Sequence, residues 1–382
     1  MTREKIDCWL VHDFRGNNPI FHNLIGGKKN NTRRCFLLIP ATGEQLIIAH
    51  VLDRDLFTDL GIKIETYSGF DQLAEMLKEK LNSYKKIAME YSPNGALPMI
   101  SWVDAGTVEF IRSLGTEIVS SANLFQATAA VWSEQQYKSH LAACEKVVEI
   151  KNDAFKLIKN TIAAGGKLSE YDVKKYILER FEKAKLINVD GPVVAVEENS
   201  GNPHYEPTAE NHKNIGSDNA VLIDLWAREK NENGIFCDIT WVGHTSQNPS
   251  NRYMEIFNLV KSARDAVVSR LKTAWKNKDS IMGFELDDVA RRLIKESAYG
   301  YYFVHRTGHS LGGGDHPHGL GANLDNFETH DTRSIIPGTG FTIEPGIYLP
   351  EFGVRSEINV YVDPVLGPTV TTPAQEEILI LT

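Results

Sequence analysis

The sequence predicts an α+β protein with an N-terminal mixed α/β domain, residues 1–128, and a C-terminal pseudo-symmetric α+β domain, residues 129–382. Two observations carry this prediction. The first part of the chain alternates short β-like runs with helical ones, and the second part repeats the order helix, helix, hairpin. The length of 382 residues, with 42% hydrophobic residues, is sufficient for two buried cores.

The N-terminal domain is predicted from short segments of either type. The runs CFLLIP, EQLIIAHV and KKIAMEY are typical of strands, and SGFDQLAEMLKEKLNSY and DAGTVEFIRSLG are typical of amphipathic helices. This part of the sequence has no phosphate-binding loop, no paired Cys and His ligands and no triad signature. It therefore indicates a fold without indicating a function.

The first helix–helix–hairpin set follows this domain. Ser133 and Gln136 have the spacing of a capping box, and the long helix they open is predicted to end at Gly165-Gly166. A second helix follows Ser169. Two β-like runs then follow, NAVLIDLWA and GIFCDITWVG, separated by a polar turn.

The second set has the same order. Helices are predicted over 250–275 and 285–298, and the runs GTGFTIEPGIYLP and GVRSEINVYV are predicted to form the second hairpin. Short turns between paired strands favour antiparallel hairpins over a doubly wound parallel sheet, which needs crossover connections. An internal duplication would explain the repeated order.

Composition and charge exclude several classes of partner. The net charge of −9 is not that of a nucleic-acid-binding protein. The four cysteines are far apart, and no segment has the apolar length of a membrane span or the pattern of a signal peptide. The sequence therefore predicts a cytoplasmic protein with neither nucleic-acid nor membrane partners.

Each hairpin has one acidic residue in each strand. The pairs are Asp224 with Asp238 and Glu344 with Glu357. At these spacings the two members of a pair can lie opposite each other on one face, with Cβ atoms about 5 Å apart. Such buried carboxylates require a positive charge, which one or two divalent metal ions would supply. The alternative is that these are strand-end acids paired with Lys or Arg.

The stretch HRTGHSLGGGDHPHG, residues 305–319, allows two interpretations. Ser310 fits the G-x-S-x-G pattern of a serine-hydrolase nucleophile, whereas His309 would supply the imidazole missing from the four carboxylates. A nucleophile elbow needs a helix directly after the serine, and three glycines and a proline disfavour one. Four carboxylates and one imidazole suit Mn, Zn, Co or Fe.

In these hairpins and this histidine the sequence resembles the metallopeptidases of the pita-bread fold. That family includes Xaa-Pro aminopeptidase, prolidase and methionine aminopeptidase, with creatinase as a metal-free relative. The motifs lie within about residues 200–360. The layout of the whole chain is also similar, because the proline-specific and creatinase branches have an N-terminal α/β domain, here the creatinase-like residues 1–128.

The resemblance implies a site with two divalent metal ions, manganese being expected and Zn, Co or Fe being alternatives. Asp224 would bind one ion, Asp238 and Glu357 would bridge both, and His309 and Glu344 would bind the second. A water shared by the ions would become nucleophilic at neutral pH. Glu344 would also exchange a proton with that water.

The resemblance also implies substrate contacts. His204 and His316 match histidines that act near the scissile bond and would donate hydrogen bonds in catalysis. His305, four residues before His309, and Arg355, two before Glu357, match the proline-specific branch, and both are expected to contact substrate. His318 matches no position of the family.

One position departs from the family pattern. Trp226, two residues after Asp224, replaces the small residue that is usual there. Because side chains alternate along a strand, Trp226 shares a face with Asp224. It is predicted to narrow the substrate side of the pocket, and the alternative is that it packs under the hairpin.

The expected activity is therefore that of an Xaa-Pro metallopeptidase. It would remove the N-terminal residue from a short peptide with proline second, or split an Xaa-Pro dipeptide. The resemblance also implies a homodimer. The alternatives are a metal-free creatinase-like hydrolase, a non-catalytic binding protein of the same fold, and a hydrolase dependent on Ser310.

Overall fold

The structure, a computed structural model, describes residues 1 and 4–382. It divides into two compact units, Met1–Ala129 and Ala130–Thr382. Each unit has its own clusters of buried apolar side chains. No helix within the described residues is both long and apolar enough to cross a membrane.

The first unit is built on one six-stranded mixed sheet. Its strands are β1 (Cys8–Phe14), β2 (Arg34–Pro40), β3 (Leu46–His50), β4 (Lys63–Tyr67), β5 (Lys86–Met89) and β6 (Glu117–Ser120). They lie in the order β4-β3-β2-β1-β5-β6, with β2 antiparallel to both of its neighbours and the remaining pairs parallel.

Helices complete this first unit. They are α1 (Pro19–Leu24), α2 (Phe70–Leu81), α3 (Ala105–Ser113) and α4 (Ala122–Ala129). In α2 the buried residues Leu73, Leu77 and Leu81 recur every fourth position, which forms one apolar face. The predicted strands and helices of this unit are confirmed, whereas β1, β4 and β6 were not predicted.

The second unit contains the two predicted helix–helix–hairpin sets. Its helices are α5 (Glu134–Ala163), α6 (Glu170–Lys183), α7 (Asn251–Asn277) and α8 (Gly283–Lys295). The strands are β7 (Leu186–Ile187), β8 (Val193–Val196), β9 (Ala220–Glu229), β10 (Cys237–His244), β11 (Gly340–Ile343), β12 (Gly346–Tyr348), β13 (Gly353–Arg355), β14 (Ile358–Asp363), β15 (Gly367–Val370) and β16 (Leu379–Ile380). The predicted order and the predicted capping box of Ser133 and Gln136 are both confirmed.

Each hairpin packs one face on its own pair of helices. The outer face of β9 and β10 forms a buried cluster with α5 and α6, through residues such as Val147, Ile223 and Ile239. The second hairpin forms another with α7 and α8. The acidic side chains lie on the opposite, inward faces because side chains alternate along each strand.

The register of the first hairpin corrects one prediction. Asp224 lies opposite Thr240, and Asp238 lies opposite Trp226, so the two aspartates are diagonal neighbours and not direct partners. An offset of two residues keeps both carboxylates on the same face, and diagonal pairs are still within reach of each other.

In the second hairpin the predicted pairing is correct. Ile343 pairs with Ile358 and Gly346 pairs with Arg355, a register that sets Glu344 across from Glu357.

A fully buried carboxyl group makes the stability of the first unit depend on pH. Glu90, just after β5, accepts hydrogen bonds from Trp9 Nε1 at 2.7 Å, Ser121 Oγ at 3.3 Å, the His12 amide at 3.2 Å and Asn18 Nδ2 at 3.3 Å. Burial nevertheless raises the pKa of Glu90 to about 7, because these donors offset only part of the cost of desolvating the charge.

This raised pKa predicts a loss of stability as the pH rises. The folded chain holds the Glu90 proton up to about pH 7, whereas the unfolded chain releases it near pH 4.3. The free energy of unfolding therefore falls between about pH 4.3 and 7, by up to about 4 kcal/mol from this group. Glu90→Gln cannot ionise and should reduce that fall, as measured by chemical denaturation from pH 5 to 8.

The exposed Glu75 of α2 provides the matched control, as Glu75→Gln. An equal pH dependence in Glu90→Gln, Glu75→Gln and the unmodified chain would contradict the prediction.

Candidate metal centre

The four predicted acids meet where the two hairpins touch. The Glu357 amide donates to the Thr240 carbonyl at 3.2 Å, and the Asp238 amide donates to Asn359 Oδ1 at 3.0 Å. These bonds hold β10 against β14. As a result Asp224, Asp238, Glu344 and Glu357 all line one pocket of the second unit.

The Thr240 hydroxyl links carboxylates from both hairpins. Its Oγ lies 3.0 Å from Asp224 Oδ1 and 2.8 Å from Glu357 Oε2, and it accepts a hydrogen bond from Arg355 Nε at 2.8 Å. Thr240 therefore fixes the orientation of two carboxylates and of the Arg355 guanidinium.

His309 enters the cluster from a loop held tightly against β11. Its amide donates to Thr342 Oγ at 3.0 Å, and a Cβ on the preceding Gly308 would lie 2.0 Å from the Thr342 carbonyl oxygen. Only glycine allows the loop to approach the strand so closely. This close approach brings the His309 ring between the two hairpins.

The imidazole of His309 is oriented for metal binding. Its Nδ1 lies 3.0 Å from the Ser310 carbonyl oxygen, so Nδ1 carries the proton in the neutral ring. Nε2 lies 3.4 Å from Asp238 Oδ2 and 3.6 Å from Glu344 Oε1. The nitrogen with the free lone pair therefore faces the carboxylates.

Electrostatics indicate a deficit of positive charge. Burial raises the pKa of Asp224 to about 7, which Arg355 opposes and Asp238 reinforces. Burial likewise raises the pKa of Asp238 and of Glu357, and neighbouring carboxylates add to both effects. His309 loses stability as a cation through burial, but Asp238 and Glu344 more than offset this loss and raise its pKa.

The donor set fits a divalent cation. Ligand atoms of Asp238, His309 and Glu357 all lie within 4.8 Å of one another. Carboxylate oxygens with one imidazole nitrogen suit Mn, Fe, Co and Zn, and no thiol contributes to the set.

Arg355 and His305 share a partner that the sequence analysis did not identify. The Tyr348 hydroxyl lies 3.0 Å from Arg355 Nη1 and 2.8 Å from His305 Nε2. The Arg355 guanidinium also forms an ion pair with Asp224. Tyr348 follows Glu344 by four residues, so period-two alternation along the strand could have drawn attention to it.

Burial keeps His305 neutral. Its Nδ1 lies 2.6 Å from the Arg306 carbonyl oxygen, and burial lowers its pKa to about 4. Both ring nitrogens of His305 are therefore occupied by protein atoms. The ring forms part of the pocket wall beside Tyr348.

All the residues that the resemblance assigns to the metal centre and the substrate site line this pocket, whose volume is about 680 Å³. They are His204, Asp224, Trp226, Asp238, His305, His309, His316, Glu344, Arg355 and Glu357. The wall also contains residues that the sequence analysis did not assign: Asp190, Pro203, Val304, Arg306, Pro317, His318 and Glu328.

Trp226 was predicted either to narrow the pocket or to pack under the hairpin, and its position agrees with both. It lies opposite Asp238 in the hairpin register and lines the pocket. Part of its ring also packs beside a small apolar cluster that includes Trp132, Phe236 and Leu311.

The two predicted catalytic histidines lie at the exposed rim of the pocket. His204 is exposed, in a turn where its amide donates to Asn202 Oδ1 at 3.0 Å. His316 has a side chain that is 61% exposed, and its Nδ1 lies 2.6 Å from Asp190 Oδ2.

Ser310 is not arranged as a nucleophile. Its Oγ accepts a hydrogen bond from the Gly321 amide at 2.9 Å, and the residue is buried outside the pocket wall. The chain continues from Ser310 into a tight turn and not into a helix. The strand–serine–helix geometry of a nucleophile elbow is therefore missing.

Comparison with known proteins agrees with this geometry. The family model "Metallopeptidase family M24" matches residues 140–364. An Xaa-Pro dipeptidase of Pyrococcus horikoshii is 30% identical over 365 residues, which cover 95% of this chain and 92% of the relative.

Solved structures are similar in fold. A dipeptidase of Mycobacterium ulcerans has a TM-score of 0.63 at 18% identity, over 100% of this chain and 94% of that one. An X-prolyl aminopeptidase of Caenorhabditis elegans, described as a cytosolic enzyme with a di-nuclear active site, has a TM-score of 0.62 at 16% identity, over 99% of this chain and 61% of that one.

The predicted pita-bread fold is thereby confirmed. The family match covers more than half of the chain and includes both hairpins and the histidine loop between them. The chain belongs to metallopeptidase family M24 and is a peptidase.

Proposed function

We propose that this peptidase uses two divalent metal ions to act on peptides with proline in the second position. It would remove the N-terminal residue of such peptides or split Xaa-Pro dipeptides. The observation that carries the proposal is the convergence of four carboxylates and His309 on a single pocket, with Asp238, His309 and Glu357 buried in its wall. The names of the similar dipeptidase and aminopeptidase support the substrate class.

The ligand assignment is the one that the resemblance to the pita-bread metallopeptidases implies. Asp224 would hold one ion, His309 and Glu344 the other, and Asp238 and Glu357 would contact both. Bound there, the ions would supply Lewis-acid activation of a water molecule and of the scissile carbonyl. Manganese is the expected metal because oxygen ligands predominate.

Glu344 is the proposed proton acceptor. The Thr342 hydroxyl donates to Glu344 Oε1 at 3.1 Å, which leaves Oε2 as the oxygen able to take a proton during hydrolysis. Arg355 Nε, 3.9 Å from Oε2, favours the ionised form of Glu344 before that transfer.

The remaining residues would bind and orient the peptide. His204 and His316 at the rim are proposed to donate hydrogen bonds, and His305 to form an uncharged wall. Trp226 would limit the space beside Asp238. Arg355, which forms an ion pair with Asp224, would contact the substrate from the side of the pocket where Asp224 lies.

The proposal extends to the whole chain. Residues 129–382 would form the catalytic domain and residues 1–128 an accessory domain. A homodimer and a cytoplasmic location remain predictions.

The direct test is metal analysis of the purified protein followed by peptide assays. We expect about two equivalents of metal per chain, and hydrolysis of Xaa-Pro and Xaa-Pro-Yaa peptides with Mn, Co or Zn. Matched Xaa-Ala peptides serve as controls for the substrate class. A chain that binds no metal and hydrolyses none of the peptides would support a binding protein of this fold instead.

Two neighbouring substitutions separate the metal mechanism from a serine mechanism. His309→Ala should lower kcat/KM by more than about 100-fold, because loss of a ligand should exceed the 10–100-fold typical of its supporting residues. Ser310→Ala should retain most of the activity, because the Ser310 hydroxyl binds the Gly321 amide away from the pocket. The reverse result would restore the serine-hydrolase interpretation.

Replacement of Trp226 tests its role in specificity. Trp226→Gly should raise kcat/KM for tripeptides relative to dipeptides by about 10-fold, since filling or emptying part of an apolar pocket is worth 1–3 kcal/mol. Trp226→Phe, which keeps an aromatic wall, is the control, and thermal unfolding of both variants measures any loss of packing. An unchanged preference in Trp226→Gly would mean that Trp226 only supports the hairpin.

A further inference from the structure

The loop between β8 and β9 brings His204 to the pocket. Residues 202–213 of this loop form neither a helix nor a strand, and His204 lies exposed near its start. Within the described residues the His204 ring has no hydrogen-bond partner, and its amide donates to Asn202 Oδ1 at 3.0 Å. The position of the ring therefore depends on how firmly the main chain on either side of it is held.

A buried carboxylate binds both ends of this loop. Glu170 is the first residue of α6 and is fully buried. Its Oε1 accepts a hydrogen bond from the Val196 amide at 2.7 Å, and its Oε2 accepts one from the Lys213 amide at 2.6 Å. The Glu170 amide in turn donates to the Lys213 carbonyl at 3.0 Å. One residue thus joins the end of β8 to the far end of the loop.

The same carboxylate holds the residues on both sides of His204. The hydroxyl of the buried Tyr205 donates to Glu170 Oε2 at 2.6 Å. Asn199 Nδ2 donates to both Glu170 oxygens, at 3.0 and 3.1 Å. The Asn199 carbonyl then accepts the Asn202 amide at 3.2 Å, and the Asn202 carbonyl accepts the Tyr205 amide at 3.0 Å. The turn that contains His204 is therefore tied to Glu170 from before and from after.

The Glu170 side chain is not needed to cap α6. Ser169 and Asp172 form the capping box there, with Ser169 Oγ accepting the Asp172 amide at 3.1 Å. All the hydrogen bonds that the Glu170 carboxylate makes within the described residues come from residues 196–213. A buried polar network whose members are all bonded makes the segments that it joins rigid. The carboxylate is therefore an anchor for the loop.

The start of the loop has a second attachment, to the second hairpin. Ser200 Oγ accepts a hydrogen bond from the Gly353 amide at 2.8 Å. This attachment lies before His204 in the chain, whereas the Tyr205 hydroxyl is the anchor directly after it. Loss of that hydroxyl would release the main chain on one side of His204 and leave the other side held.

We propose that Glu170 is a positioning residue for His204 and acts through the Tyr205 hydroxyl. It would hold residues 199–205 so that the His204 ring stays at the pocket and meets the bound peptide. The inference rests on the proposed peptidase function, in which His204 donates a hydrogen bond near the scissile bond. Glu170 is buried outside the pocket wall and would not touch the substrate.

Tyr205→Phe tests the proposal because it removes one hydroxyl and keeps the buried ring. We expect kcat to fall about 10-fold with KM nearly unchanged, because a contact made in the transition state is weakened when its donor is displaced. His204→Ala should lower kcat about 100-fold, as when a donor to the oxyanion is removed. The matched control is Tyr67→Phe, which removes a hydroxyl bound to the Arg34 carbonyl at 2.8 Å in the first unit and should retain kcat.

Glu170→Gln should lower kcat more than Tyr205→Phe does. It replaces one acceptor oxygen by a donor, so the Lys213 amide and the Tyr205 hydroxyl cannot both keep their acceptor. Thermal unfolding and metal content are measured for every variant. If Glu170→Gln does not fold, Tyr205→Phe still decides the question.

A double substitution separates positioning from support of the fold. If the anchor acts through His204, Tyr205→Phe should change kcat by less than about 2-fold when it is added to His204→Ala. A full 10-fold loss in that background would overturn the proposal, because Tyr205 would then act independently of His204. Unchanged kcat in Tyr205→Phe, or in His204→Ala, would overturn it as well.

Hydrogen exchange gives a readout that does not need activity. In Tyr205→Phe the amides of residues 199–206 should exchange faster than in the unmodified chain, while the rest of the second unit is unchanged. Unchanged exchange in this segment would overturn the proposal.

Failure of the proposed function is distinguishable from failure of this inference. If the unmodified chain cleaves Xaa-Ala but not Xaa-Pro peptides, the proline preference is wrong, and the variants are compared with Xaa-Ala peptides. If the unmodified chain cleaves neither, the peptidase proposal fails, and hydrogen exchange decides whether the anchor holds the turn that contains His204.

Discussion

The mutual repulsion of four carboxylates is the constraint on which this catalytic unit depends. Asp224, Asp238, Glu344 and Glu357 line one pocket, where burial and like charge raise the pKa of Asp224, Asp238 and Glu357, while the pKa of Glu344 is lowered because neighbouring cationic groups, His309 first, outweigh its burial. Within the described residues, Arg355 and His309 supply the nearest positive charge. Apolar packing on the outer faces of both hairpins must hold the acids together against this repulsion, and bound divalent ions would relieve it.

The two helix–helix–hairpin sets together hold the acidic residues in place. Most of each core comes from one helix–helix–hairpin set, and Ala220, Leu222 and Val242 of the first hairpin also pack into the core of the second set. Beside this apolar contact, polar bonds join the two hairpins, through Thr240 with Glu357 and Asp238 with Asn359. Such bonds fix the orientation of the acids, which packing alone would not do, since apolar contacts have little directional preference.

Much of the fold and the candidate site could be predicted because each depends on local signals. The capping box at Ser133 and the leucine spacing of α2 report on backbone within one or two turns. Strand β1 was missed since both of its faces are buried, so Trp9 and Leu10 leave no alternation to detect. The pairing of Asp224 with Thr240 was missed because register depends on the geometry of the turn.

The sequence by itself determined which chemical groups are present: a pair of acids in each hairpin and a histidine in a glycine-rich loop, in the order typical of metallopeptidases. Tertiary structure alone decided which of these groups are neighbours. Tyr348 contacts Arg355, His316 lies at the exposed rim of the pocket, and the His318 ring packs against the His309 ring. These contacts depend on the close approach of distant segments of the chain, which the spacing of residues along the sequence does not encode.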